Sequence, residues 1–214
     1  MTRLAVIGGT GYAGAHIVRT AAERGLDVVS YSRTLPEDAQ PGVEYRTADF
    51  TEENAARAIV ADADVVVVCA APRGDMAGRV ETAVAQLARI AAEAGVRLGV
   101  IGGAGSLLVS EGGPRVMDGP DFPSFILPEA QEAGRMLDAL RADDSDLDWF
   151  YVSPAGGFGS FAPGEARGEY RVGGDVLLVD ENGESFISGA DFALAIVDEV
   201  EKPAHRRQRF TVAY

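Results

Sequence analysis

In this 214-residue chain the segment Gly8-Gly-Thr-Gly-Tyr-Ala-Gly14 constrains the fold more than any other, because of what stands on either side of it. Before it runs the apolar stretch Leu4 to Ile7, which reads as a short strand buried on both faces. After it, Ala13, Ile17, Val18 and Ala21 recur at helical spacing until Gly25 offers a C-terminal cap. A buried strand that turns through glycines at positions 8, 11 and 14 directly into a helix is the opening of a βαβ unit.

The rest of the chain repeats that alternation. Strands are predicted at Leu26 to Tyr31, Val43 to Thr47, Val65 to Ala70 and Arg97 to Gly102. Helices are predicted from about Glu52 to Val60, with Thr51 as the cap, and from Arg79 to Ala94, closed by Gly95. The strands are continuously apolar rather than alternating, so both sheet faces are covered. The fold class is therefore α/β, a doubly wound and mostly parallel sheet. The second half is less regular. Ser110 to Pro128 is a long Gly- and Pro-rich loop, of a length that connections with a function of their own reach. A helix is expected over Glu129 to Arg141 and a sixth strand over Leu147 to Val152. Between Glu169 and Ile187 two strand candidates flank Asp180 to Gly183, which predicts a small irregular hairpin. Ser188, three residues before Asp191, begins a helix that ends near Glu201 and Lys202 with Pro203 as the stop, and Arg209 to Ala213 is a last strand. With no linker or repeat, residues 1–214 are expected to form one domain, its substrate-side elements drawn from 103–128 and 154–190.

Composition excludes several functions. The chain has 19 basic and 33 acidic residues, a formal net charge of −14, and no basic stripe, which disfavours nucleic acid and anionic membranes as partners. Cys69 is the lone cysteine, so no internal disulfide or multi-cysteine zinc site can form, and no metal is expected. The longest apolar run, Val65 to Ala71, is too short to cross a bilayer, and the start MTRLAVIGG lacks a signal-peptide pattern. The expected location is the cytoplasm, as a monomer or homodimer.

A pyrophosphate needs a tight turn, a backbone without side chains at its closest approach, and free N–H groups at a helix N-terminus. Gly8, Gly11 and Gly14, with Thr10, Tyr12 and Ala13 between them, supply these, so the turn predicts a dinucleotide. At the end of the second strand, where an acidic residue would hold the ribose of NAD, the chain has Arg33. A guanidinium there suits a 2′-phosphate and favours NADP(H), the alternative being an ordinary surface arginine. Asp49 and Phe50 can border the adenine, or be a helix-capping Asp beside a core Phe. The small residues Cys69, Ala70, Ala71 and Pro72 let backbone approach the riboses.

These segments resemble the atypical short-chain dehydrogenase/reductases, and within them the NmrA-like and biliverdin reductase B-like branch, which carries the NADH-flavin reductase label. The resemblance covers essentially the whole chain through the blocks 6–14, 100–107, 121–123, 148–155, 183–191 and 209–214. It implies a Rossmann fold whose nicotinamide lies between Gly102, Gly103 and Ser106 on one side and Ser153, Pro154, Ala155 and Gly156 on the other.

The usual acid of short-chain reductases is a tyrosine followed by lysine at the fourth position. None of the six tyrosines has that partner. The only lysine among the basic residues is Lys202, with 18 arginines making up the rest. Two readings stand beside a third. In the first, a small aromatic acceptor of flavin or quinone type takes hydride without an enzymic acid. Ser106 then donates a hydrogen bond to it, and Phe122, Phe125, Phe158 and Phe161 form an apolar pocket. In the second, the chain binds NADP(H) without turnover and signals redox state to a partner. In the third, Glu129, Glu132 and Asp121 serve a redox-neutral isomerisation or epimerisation with retained cofactor.

Overall fold

The computed structural model describes residues 2–214. Eight strands form one sheet in the order β3-β2-β1-β4-β5-β6-β8-β7. They are β1 (Arg3–Ile7), β2 (Asp27–Ser32), β3 (Val43–Thr47), β4 (Val65–Val68), β5 (Arg97–Ile101), β6 (Trp149–Pro154), β7 (Arg171–Gly173) and β8 (Gln208–Ala213). All neighbours are parallel except β7, which runs antiparallel along β8. Five helices cover the faces: α1 (Tyr12–Glu23), α2 (Glu53–Ala61), α3 (Val80–Ala94), α4 (Leu127–Ala142) and α5 (Gly189–Glu201). The chain is thus a doubly wound α/β protein.

The continuous apolar strands have the cause expected of them, a core on each side. Ile59, Val84, Leu87, Met136 and Leu137 of α2, α3 and α4 pack on one face with Trp149 and Tyr151. Ile17, Val18, Phe192 and Ile196 of α1 and α5 pack on the other with Phe150 and Phe210. Each of these side chains is almost wholly removed from water. At about 25 cal/mol per Å2 of apolar surface, one such side chain contributes roughly 1.5–3 kcal/mol.

Helix ends show where local sequence suffices and where it does not. Gly95, at φ 67°, closes α3 in the left-handed conformation. Ser188 Oγ accepts the Asp191 N–H and caps α5. Thr51, expected to cap α2, does not: its hydroxyl and its N–H both donate to Asp49 Oδ1, at 2.7 and 3.0 Å. Glu52 occupies the cap position without a side-chain bond. The N-terminus of α3 is capped from another helix. Glu132 of α4 is buried and accepts the N–H groups of Gly78, Val80 and Glu81 at 2.6, 2.9 and 3.1 Å.

The expected hairpin is also corrected. The turn at Asp180 to Gly183 forms, with Asp180 Oδ1 accepting the N–H groups of Asn182 and Glu184. The strand before it, β7, pairs with β8 instead of with the segment after the turn. That segment crosses back to the end of β6 through a single bridge between Gly157 and Phe186. No helix among the described residues is long and apolar enough to cross a membrane.

Candidate functional site

The strand order reverses direction between β1 and β4, and the carboxyl ends of the strands there open the crevice in which doubly wound sheets bind ligands. The glycine turn lines it. Gly8 has φ +79°, donates its N–H to the Tyr31 carbonyl at 2.7 Å, and leaves no slack: a Cβ would lie 3.2 Å from the Ala70 nitrogen. Gly14 is tighter still. A Cβ there would lie 2.2 Å from the Gly8 carbonyl oxygen, so only glycine lets α1 start this close to the turn. No side chain caps α1 at Gly11, and the first N–H groups of a helix have no partner within it. The turn therefore fits a dinucleotide diphosphate, with the N–H groups at the start of α1 open and the helix dipole directed into the crevice.

The remaining cofactor candidates fall around this turn. Thr10 is held by Ser32 at the end of β2, its N–H and hydroxyl both directed at Ser32 Oγ, at 3.2 and 3.0 Å. Tyr12 stacks edge-on against His16 and Phe158, and burial lowers the His16 pKa below its ordinary value. Arg33 follows β2 and is exposed, its Nη1 3.7 Å from the exposed Asp75 Oδ2. The hydroxyl of Thr51, together with its N–H, holds the Asp49 carboxyl below the usual carboxylate range. Phe50 is buried among the residues under α2 and α3, so its ring is packed in the core. Ala70 and Ala71 are half-buried and Pro72 is buried. Burial pushes the Cys69 thiol up to about 12.

Toward the acceptor end, Gly102 leaves room for the Tyr151 ring: a Cβ would overlap its hydroxyl. Gly103 is open. Ser153 and Pro154 belong to β6 itself, and Ser153 Oγ is buried without a partner. Ala155 is buried, while Gly156 donates to Ser185 Oγ at 3.0 Å, which ties the two arms of the 154–188 strap together. Ser106 is buried beside α4, and its hydroxyl accepts from Arg209 at 3.0 Å. With Arg141 and Asp175 they line a cavity of about 140 Å3.

The four phenylalanines are not brought together as one pocket. Phe122 lies over Gly105. Phe158 packs on Phe192 with ring centres 4.4 Å apart, on the α1/α5 face. Phe125 and Phe161 are 84 and 78 % exposed, so neither ring is buried by any partner in the fold.

Two residues at the candidate site were invisible to local reading. Arg79 donates to Thr51 Oγ1 at 2.7 Å and lies 3.8 Å from Asp49, which adds a second guanidinium near Arg33. A helix-start arginine gives no such signal. Arg209 reaches Ser106 from the last strand. Tyr151 of β6 is spent structurally: its phenol donates to the Ala133 carbonyl of α4 at 2.8 Å, and burial raises its pKa. Lys202 stands at the end of α5, where the chain turns back to enter β8, at the amino ends of the strands and so at the opposite end of the sheet from the crevice. Among the described residues no cluster of His, Cys, Asp and Glu is able to hold a metal ion.

Comparison with known proteins agrees with this geometry. Residues 8–203 match the family model described as NAD(P)H-binding. The uncharacterized protein YwnB of Bacillus subtilis is 37 % identical over 98 % of this chain and 97 % of its own length. Among solved structures, a "putative NADH-flavin reductase" from Streptococcus pneumoniae is 32 % identical, with a TM-score of 0.89 over 100 % of this chain and 99 % of that one. A "putative epimerase" from Bacteroides thetaiotaomicron is 31 % identical, with a TM-score of 0.88 over 100 % of this chain and 97 % of that one.

Proposed function

Since the chain belongs to the NAD(P)H-binding family of atypical short-chain dehydrogenase/reductases, we propose that it is an NADPH-preferring reductase of a flavin-like or quinone-like acceptor. The observation that carries this reading is a complete dinucleotide turn in a crevice beside which Tyr151 is spent on the Ala133 carbonyl and from which the one lysine is remote. Gly8 to Gly14 would hold the diphosphate, and Arg33, with Arg79 across Asp49, would meet the 2′-phosphate. When bound, the dihydronicotinamide supplies hydride. The chain's part is to orient the acceptor over the ends of β5 and β6. A conjugated acceptor spreads the charge it gains over its own ring system, so a hydrogen bond from Ser106 suffices and solvent delivers the proton.

The isomerase reading loses one of its candidate bases, because Glu132 is committed to three N–H groups of α3. Glu129 is held by Arg73 at 2.7 Å. A nicotinamide reductase with a buried thiol belongs in the cytoplasm, where its cofactor is kept reduced.

The test is oxidation of NADPH and NADH by purified protein with FMN, riboflavin, quinones and simple aldehydes. Turnover with flavin or quinone, faster with NADPH, is the expected outcome, and aldehydes remain unreduced. No oxidation above the uncatalysed rate, with NADPH binding intact, would replace the reductase by a redox sensor.

A further inference from the structure

Ser106 and Arg209 lie 103 positions apart in the sequence and touch in the fold. The Arg209 side chain is only 2 % exposed. Its Nη1 donates to Ser106 Oγ at 3.0 Å and to the Ser106 carbonyl at 3.1 Å. Its Nε donates to Asp175 Oδ1 at 2.7 Å, and its Nη2 lies 2.5 Å from the same oxygen. Asp175 is held in turn by Arg141 of α4 at 2.6 Å. The planar guanidinium is fixed on both edges, which a flexible ammonium would not be.

The consequence falls on the serine. A hydroxyl has one proton to give and two lone pairs to receive, and a guanidinium can only donate. Arg209 therefore occupies the acceptor side of Ser106 Oγ, and among the described residues it is the sole hydrogen-bond partner of that atom. What is left is one lone pair and the proton, and the O–H is free to donate. The adjacent cation polarises its O–H bond, and charge-assisted chains of this kind in a low-dielectric setting are stronger than neutral ones.

We infer that Arg209 is a positioning residue for the reduction, which makes Ser106 a fixed hydrogen-bond donor toward the acceptor. The assignment rests on the reductase reading above. The acceptor takes up hydride from the reduced dinucleotide, which is thereby oxidised, and becomes an anion. Ser106 donates its hydrogen bond to that anion and keeps its proton. Water then protonates the product and leaves hydroxide to the buffer. In short-chain reductases with a tyrosine acid, a lysine polarises the phenol; here an arginine on the last strand polarises a serine.

A double-mutant cycle tests this, with FMN or a quinone as acceptor and NADPH affinity measured separately by fluorescence. Arg209→Met is expected to lower kcat about tenfold, while KM and the NADPH dissociation constant stay unchanged. Arg209→Lys, which keeps the charge and a donor but not the two-edged fixation, recovers part of the rate. In the S106A background, Arg209→Met changes kcat less than about twofold, because the atom through which it acts is gone. Should Arg209→Met not fold, Arg209→Gln runs the same cycle with a neutral donor and is expected to fall below Arg209→Lys. Equal losses in both backgrounds would show a structural role only and overturn the assignment. An inactive wild-type protein removes the reductase reading and this assignment together; an active wild type with additive losses removes this assignment alone.

Discussion

At the diphosphate end of the crevice the groups that make the turn come from seven consecutive residues, Gly8 to Gly14, and most are backbone. At the acceptor end, Ser106 depends on Arg209 and Asp175, and the strap of residues 154–188 depends on Asp191 and Tyr214. Asp191 accepts the N–H groups of Arg167 and Gly168 at 2.7 and 3.0 Å, the Ser188 hydroxyl at 3.0 Å and the Tyr214 phenol. Arg167 stacks over the Tyr214 ring at 3.8 Å. The first end is set by conformation and close approach, the second by side chains that meet from as far as 103 positions apart. The difference teaches where each end is fragile. A turn made of backbone fails when an atom is added, whereas a strap held by side chains fails when a partner is removed.

Gly14→Ala attacks the first end and carries the largest expected effect. Its Cβ would sit 2.2 Å from the Gly8 oxygen, and overpacking against backbone costs about 3 kcal/mol. A thermal melt and a cofactor titration are expected to show a lowered Tm with loss of dinucleotide binding. Retained affinity would mean the turn has room that its geometry denies.

Asp191→Asn attacks the second end. Leaving several donors poorly paired costs about 1–3 kcal/mol, and hydrogen exchange at the Arg167 and Gly168 amides should accelerate while the glycine turn stays protected. The same bonds have a pH signature. Burial pushes the Asp191 carboxyl up, but the Tyr214 phenol, the Arg167 N–H, the Ser188 hydroxyl and the Gly168 N–H together hold it below its ordinary value. A lowered folded value means the strap's attachment is complete above about pH 4 and is lost as pH falls through the folded value. Asp191→Asn should abolish that acid dependence; an unchanged profile would place the acid sensitivity elsewhere.

Arg33→Ala is a smaller change at the first end. NADPH affinity is expected to fall about tenfold, or about 1.4 kcal/mol, with NADH affinity unaffected, both read by calorimetry. Equal losses would remove Arg33 from the 2′-phosphate. The smallest effect is expected at Cys69, between the two ends. Its thiol rises from 9.0 to about 12, which cuts the thiolate at pH 8 about a thousandfold. Thiol reagents should modify it far more slowly in the folded protein than after denaturation.

The same contrast explains what could be read from the sequence. β3 was expected at Val43 to Thr47 and lies there. Gly95 and the Ser188 cap were legible because each acts on its own neighbours. Thr51 was misread because Asp49, two residues earlier, takes its hydroxyl. The hairpin was misread because β7 has a better partner in β8, about forty residues on, than in the segment across its own turn. Periodicity gives no sign that Glu132 caps a different helix or that Arg209 reaches Ser106, since both contacts exist only once α4 and β8 are placed.

The position of β8 between β6 and β7 has a consequence for how the molecule assembles. β7 precedes β8 in the chain yet has no sheet partner until β8 is laid down. Arg209 and Tyr214 arrive on or beside that same strand. The dinucleotide turn can therefore be completed within the first half of the chain, while the strap and the Ser106 contact need Arg209 and Tyr214. The two ends of one crevice differ in how much of the chain each must bring together, as well as in the material that holds them.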